Sequence, residues 1–183
     1  VTEPTDDELM ARGAAGNDDA FRILVRRWER PVFAFLDRML GSREEAQDVA
    51  QETFLRVCRN AGRYEGNGRF KSWLFRIAGN LARTRLRRRK IVRWIPFDLA
   101  RHDLAGEDAA DRGLEAGESG AAVRRALSAL PERQREAVLL RHFEEMSHRD
   151  IADALETTVS AVESLLHRAM ATLRQELSEG ETP

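Results

Sequence analysis

Residues 70–90, FKSWLFRIAGNLARTRLRRRK, decide how the rest of the chain is read. Phe70, Trp73, Leu74, Ile77, Ala78 and Leu81 recur at spacings of three and four, the stripe of an amphipathic helix with one buried face. The second half of the stretch obeys a different rule. Arg83, Arg85, Arg87, Arg88, Arg89 and Lys90 place six cations in eight residues, so positive charge runs around the helix. Two or three cations would complement the negative end of the helix dipole. Six exceed that need and point to a polyanion, with nucleic acid the first candidate.

Charge along the chain comes in blocks. The formal net charge is −1. From Ala61 to Ile95, eleven Lys and Arg face the single acid Glu65, whereas from Pro96 to Gly120 two arginines face seven acids. Screening confines each field to about 10 Å at ordinary salt, so the blocks act separately. The acidic segment is rich in Gly and Ala, has no helical period, and reads as a flexible linker between two small helical domains, 1–95 and 121–183.

An apolar fraction of 42% fits a globular protein, and no apolar run is long enough to span a bilayer. VTEPTDDELM at the N-terminus is acidic where a signal peptide would be basic and then apolar, so the expectation is a cytoplasmic protein. Cys58 is the only cysteine, which rules out an internal disulfide and a thiolate cluster. The four histidines match no metal-ligand spacing, and the carboxylates are scattered over polar faces. No metal, no cofactor and no catalytic residue is expected.

Upstream of the basic helix, Thr5 and Glu8 form a capping box for a short helix through Ala15, and Gly16 with Asn17 breaks and restarts the chain. Phe21, Leu24, Val25, Trp28, Val32, Phe35, Leu36 and Met39 describe a long core helix, with Pro31 expected to kink it and Gly41 to stop it. In the next helix, 43–60, Ala46, Val49, Ala50, Thr53, Phe54 and Val57 share one face. Leu55 sits on the opposite face amid Asp48, Gln51 and Glu52, an apolar centre with a polar rim, as docking surfaces have. Gly62, Gly66 and Gly68 then mark a loop beside aromatics and cations, the combination that single-stranded nucleic acid uses for stacking and phosphate contact; a plain helix connector fits the same residues.

Downstream of the linker, Val123, Leu127 and Leu130 begin a helix ending at Pro131, and 132–143 gives the next, with Ala137, Val138, Leu140 and Phe143 expected inward. Ser147 caps a short helix carrying Ile151, Ala152 and Leu155. Glu156, Thr157 and Thr158 turn the chain, and Thr158 caps a longer helix carrying Val162, Leu166, Ala169 and Leu173. Two helices so tightly joined, with a small residue where they cross, describe a helix-turn-helix. Ser160, Ala161, Ser164, His167 and Arg168 are its expected solvent-facing positions, small enough to enter a major groove and with Arg168 for a phosphate.

EEAQDVAQETFLRV (44–57) followed by FKSWLFRIAGN (70–80) and the arginine cluster resembles region 2 of bacterial RNA polymerase sigma factors of the extracytoplasmic-function type, within the sigma-70 family. LPERQREAVLLRHF (130–143), the helix-turn-helix and LHRAMATLR (166–174) resemble their region 4. The resemblance covers nearly all of the chain outside the linker. It implies an all-α fold of two domains and an alternative sigma factor that binds core RNA polymerase and directs promoter-specific initiation, controlled by an anti-sigma factor. Asp48, Gln51, Glu52 and Leu55 would dock on the coiled coil of the polymerase beta-prime subunit, with the beta subunit a further partner. The loop 64–69, opening on Tyr64, with Phe70, Trp73 and Asn80 would capture a flipped base of the minus-ten element, and Lys71 would also contact minus-ten DNA. The cations from Arg83 to Lys90, Arg87 and Arg88 among them, would hold phosphates around the melting point. Ser160, Ala161, Ser164, His167 and Arg168 would read the minus-thirty-five duplex.

Four positions depart from the family pattern. Thr84 stands where an acid is common, Glu156 replaces the turn glycine, and Glu163 and Leu165 occupy sites where basic residues are frequent. A stand-alone helix-turn-helix regulator is the alternative, but it would have no use for the Asp48–Leu55 face.

Overall fold

A computed structural model describes residues 3–94 and 118–179, all of whose regular elements are helical. Residues 96–117 of the expected linker lie outside the described residues; 118–120 belong to the first turn of a helix. The elements are α1 (Asp6–Ala14), α2 (Asp18–Leu40), α3 (Arg43–Arg59), a 3-10 turn (Ala61–Arg63), α4 (Phe70–Trp94), α5 (Glu118–Ala129), α6 (Glu132–His142), α7 (His148–Leu155) and α8 (Val159–Glu179).

Local chemistry accounts for most of these boundaries. Thr5 and Glu8 form the reciprocal capping box of α1, Asn17 caps α2 and Ser42 caps α3, each satisfying an otherwise orphaned N–H. Gly41 ends α2 in the left-handed conformation at φ 68°. Helix α2 continues through Pro31.

Helices α1–α4 pack around Leu24, Phe35, Leu36, Met39 and Leu74, and α5–α8 around Leu139, Leu140, Ile151, Leu155 and Val162. The two groups share one continuous core, joined where α7 lies along α4 and α6 meets α2. Helix α4 is therefore covered on two sides. Phe75, off the apolar stripe read from sequence, is fully buried in edge contacts with Phe35 at 5.2 Å and Trp28 at 6.2 Å. Ser72 and Gly79 are also buried, which lets another element come close to α4.

One expected core residue is corrected. Phe143 is 43% exposed because α6 ends at His142 and the helical period stops there; Leu139 is buried instead. The Phe143 ring lies under the Arg38 guanidinium, 4.3 Å from the ring centre.

Glu156, which stands at the turn, has φ 52° and ends α7 in the left-handed conformation that suits glycine. Its carboxylate lies 3.8 Å from Arg76, and 60% of the side chain is exposed, so the ion pair offsets little of the backbone cost. Glu156→Gly is expected to raise stability by about 1 kcal/mol in thermal unfolding.

Candidate nucleic-acid interface

Helix α4 and the loop before it build a cleft. Tyr64 leaves the 3-10 turn with extended backbone, and its ring meets Phe70 edge-on at 5.8 Å and Trp73 tilted at 5.0 Å. Phe70 is 3% exposed, so it supports the other two rings from beneath and presents no face for stacking. Tyr64 and Trp73 are half-buried and line an open cavity of ≈ 400 Å³ with Arg63, Glu65, Asn67, Arg69, Ser72, Arg76 and Asp153. That volume is within the range of small-ligand clefts, and a nucleobase is a small flat ligand. Arg63 and Arg76, which sequence reading did not single out, put cations at the cavity's edge. For Arg76 the signal was present: it lies one helical turn beyond Trp73.

The loop has an unexpected anchor. The Tyr64 hydroxyl donates to Asp7 Oδ1 at 2.5 Å, and the Gly68 N–H donates to Asp7 Oδ2 at 2.6 Å. Burial and the Asp7 carboxylate both push the Tyr64 phenol well above its ordinary range. The neighbouring Asp6 accepts from Arg27 at 2.6 Å and from Trp28 Nε1 at 3.1 Å, which fixes α1 against α2.

The cations of α4 are less free than the sequence implies. Arg83 donates to the fully buried Glu136 and to Asn80, and Lys71 donates to the Glu144 carbonyl with its ammonium 3.8 Å from the Glu144 carboxylate. Arg69 pairs with Asp153 at 2.8 Å and Lys90 with Glu132 at 2.7 Å. All four acids belong to α6, α7 or the turn between them. On the opposite side Arg85 lies 3.3 Å from both Glu45 and Asp48, while Arg89 pairs with Glu45 at 2.7 Å and donates to the Leu40 carbonyl at 2.9 Å. Arg87 and Arg88 are exposed; Arg87 makes a long contact to Thr84, whose hydroxyl donates to the Asn80 carbonyl.

Glu136 is the most constrained of these groups. A Cβ at Gly79 would fall on its carboxylate, so glycine is what admits it to α4. Burial raises the carboxyl's pKa, a pull that Arg83 opposes. Burial likewise raises Glu144, against Lys71 and Arg38.

On α3, Leu55 is 44% exposed, Asp48 and Gln51 are exposed, and Glu52 is held by Arg56 at 2.8 Å, which lowers its pKa. The four residues thus share a solvent-facing surface, as periodicity predicts. Helices α7 and α8 form the helix-turn-helix, with Thr158 accepting from the Ala161 N–H at 3.2 Å as the cap. Ser160, Ser164, His167 and Arg168 are exposed and Ala161 is half-buried. Glu163 on the same helix lies 3.8 Å from His148, and Leu165 packs partly into the core, so its apolar character serves the fold.

Among the described residues no helix is long and apolar enough to cross a membrane, and no cluster of potential metal ligands is found. Residues 24–91 match the family model of sigma-70 region 2, and residues 120–173 that of sigma-70 region 4. The RNA polymerase sigma-H factor of Pseudomonas aeruginosa is 33% identical over 177 residues, covering 92% of each chain. The ECF RNA polymerase sigma-E factor of Haemophilus influenzae is 32% identical over 173 residues, covering 90% of this chain and 91% of that one. Among solved structures, CnrH in complex with the cytosolic domain of CnrY aligns with a TM-score of 0.71 at 28% identity, covering 97% of this chain and 99% of the other.

Proposed function

This chain belongs to the RNA polymerase sigma factors of the extracytoplasmic-function type, and on that premise we propose how its surfaces divide the work of promoter recognition. It acts in the cytoplasm and catalyses no reaction itself; it supplies promoter specificity to core polymerase. The Leu55-centred face of α3, with Asp48, Gln51 and Glu52, docks on the beta-prime coiled coil. The Tyr64–Trp73 cavity takes an unstacked base of the minus-ten element, and Asn80, Arg83, Arg87 and Arg88 along α4 line the path of the adjoining backbone. Ser160, Ala161, Ser164, His167 and Arg168 on α8 meet the minus-thirty-five duplex in its major groove.

The observation that carries this reading is the cavity: two half-buried aromatic rings at the start of the basic helix, with arginines on its rim. Stacking on such rings stabilises an unpaired base by about 1–3 kcal/mol, enough to hold it once the duplex has opened. Neither module need bind tightly alone, because tethering both to polymerase makes the second contact effectively intramolecular.

Four cations of this path, at Arg69, Lys71, Arg83 and Lys90, are occupied by carboxyl-bearing residues of α6, α7 and the turn between them. Asp153 of α7 also lines the cavity. Promoter DNA therefore requires α6 and α7 to leave α4. A protein that clamps both domains would hold the closed form, and the CnrH structure, which contains the cytosolic domain of a second protein, supports control by an anti-sigma factor.

The direct test mixes the purified chain with core polymerase and promoter DNA and maps unpaired thymines by permanganate. Reactive thymines across the minus-ten element are expected; failure to bind core would sink the reading. A second measurement addresses the backbone path. Replacing Arg87 and Arg88 together by Ala is expected to flatten the salt dependence of promoter binding, with the slope falling by roughly 0.7–0.9 for each phosphate the variant no longer neutralises. Arg89 is left in place because its contacts to Glu45 and Leu40 hold α4 to the bundle.

A further inference from the structure

Asp7 is far from the basic helix in sequence, yet both its carboxylate oxygens are used by the loop that opens the base cavity. Oδ1 accepts from Tyr64, the first residue of that loop and a wall of the cavity, and Oδ2 accepts from the Gly68 N–H near the loop's end. Gly66 and Gly68 have φ of 41° and 75°, so the loop between the two anchor points is built from residues with wide backbone freedom. A carboxylate bridging the ends of such a loop removes much of that freedom and sets the pitch of the Tyr64 ring over Trp73. The platform behind Asp7 is rigid. Its helix is closed by the Thr5–Glu8 capping box, buries Leu9 and Met10 completely, and is tied to α2 through Asp6.

We propose that Asp7 is a positioning residue for minus-ten selectivity, clamping the 64–68 loop so that the Tyr64–Trp73 cavity accepts one base in preference to the others. The proposal rests on the promoter-recognition reading above. It follows from the clamp that α1 belongs to the base-reading apparatus although it lies outside the residues matched to region 2. An organised pocket discriminates bases because a wrong base leaves buried polar groups unpaired, whereas a loosened one adapts to whatever enters.

The test uses the full chain with core polymerase on promoter templates randomised over both elements, with transcripts sequenced to give base preference at each position. Three proteins are compared: wild type, Asp7→Ala and Asp7→Asn. A carboxamide can still accept from Gly68 and donate to the Tyr64 oxygen, so Asp7→Asn is expected to keep the wild-type profile. Asp7→Ala is expected to reduce preference at the affected minus-ten position at least fivefold, with minus-thirty-five preference and affinity for core unchanged. A minus-ten profile for Asp7→Ala that matches wild type would overturn the proposal and leave the parent reading standing. An equal loss over both elements, or loss of core binding, would reduce Asp7 to a folding role and overturn it as well. Failure of wild type to enrich any promoter would overturn the parent reading, and this one with it.

Discussion

Replacing Glu136 by Lys is expected to separate α6 and α7 from α4. The fully buried carboxylate faces Arg83, itself only 16% exposed, across a slot that Gly79 leaves open. Breaking a buried pair by removing one partner costs about 3–5 kcal/mol because the remaining charge is left uncompensated. A lysine there adds repulsion to that cost. The remaining contacts between these elements are the packing of α7 along α4 within the shared core and exposed or half-exposed ion pairs worth about 0–1 kcal/mol each, and the expectation is that a buried lysine facing Arg83 outweighs them. Small-angle scattering should show a larger radius of gyration, and the chain without polymerase should bind a single-stranded minus-ten oligonucleotide at least tenfold more tightly. A variant as compact as wild type, with unchanged affinity, would show that this pair does not hold the closed form. Glu136→Met combined with Arg83→Met separates charge pairing from mere occupancy: the double variant should stay compact, since a buried ion pair replaced by apolar groups of similar volume is often neutral or stabilising.

The second large effect is expected at the α3 face. Leu55 is an exposed leucine with polar neighbours and no role in the core, so truncating it leaves the fold unharmed. In a docking surface such a centre carries much of the binding energy, and central residues cost about 2 kcal/mol or more on truncation. Leu55→Ala with Gln51→Ala should therefore weaken binding to core polymerase by roughly 30-fold or more. Circular dichroism and the melting temperature should stay near wild type, because neither side chain is buried. Full retention of core affinity in a competition assay would remove this face from the polymerase contact. Asp48 and Glu52 are poorer first targets. Asp48 lies 3.3 Å from Arg85 and Glu52 is bonded to Arg56, so their replacement would disturb contacts within the chain as well as any docking.

Much of the fold was legible before any coordinates because helices announce themselves locally. The capping box at Thr5 and Glu8, the restart at Asn17, the stop at Gly41, and the caps at Ser147 and Thr158 each involve residues within a few positions of one another. The apolar stripes of α2 and α3 have the helical period and are buried or half-buried as read. The helix-turn-helix needed only a short helix, a three-residue turn and a second helix. The rings at Tyr64 and Trp73 stood out as aromatics beside a basic run, and periodicity put Phe70 on the buried stripe, where it lies, but did not distinguish it from Trp73, which is only half-buried.

The sequence by itself determined the all-α class, the order of the helices, the solvent-facing patch around Leu55 and the helix-turn-helix, because each is encoded by patterns shorter than about five turns of helix. Tertiary structure decided everything that depends on two distant segments meeting. Asp7 reaches Tyr64 and Gly68 across 57 and 61 residues, and Glu136 reaches Arg83 across 53. No periodicity records such pairings. Phe75 lies off the stripe read from sequence and is buried against Trp28 and Phe35 of α2, a packing that the stripe alone does not anticipate. The basic helix read from sequence as open to a polyanion is, in the folded chain, already partly paired with carboxylates of its own partner domain. Charge attraction acts through space, so the acids that answer a run of arginines can lie anywhere along the chain that folding brings within a few ångström.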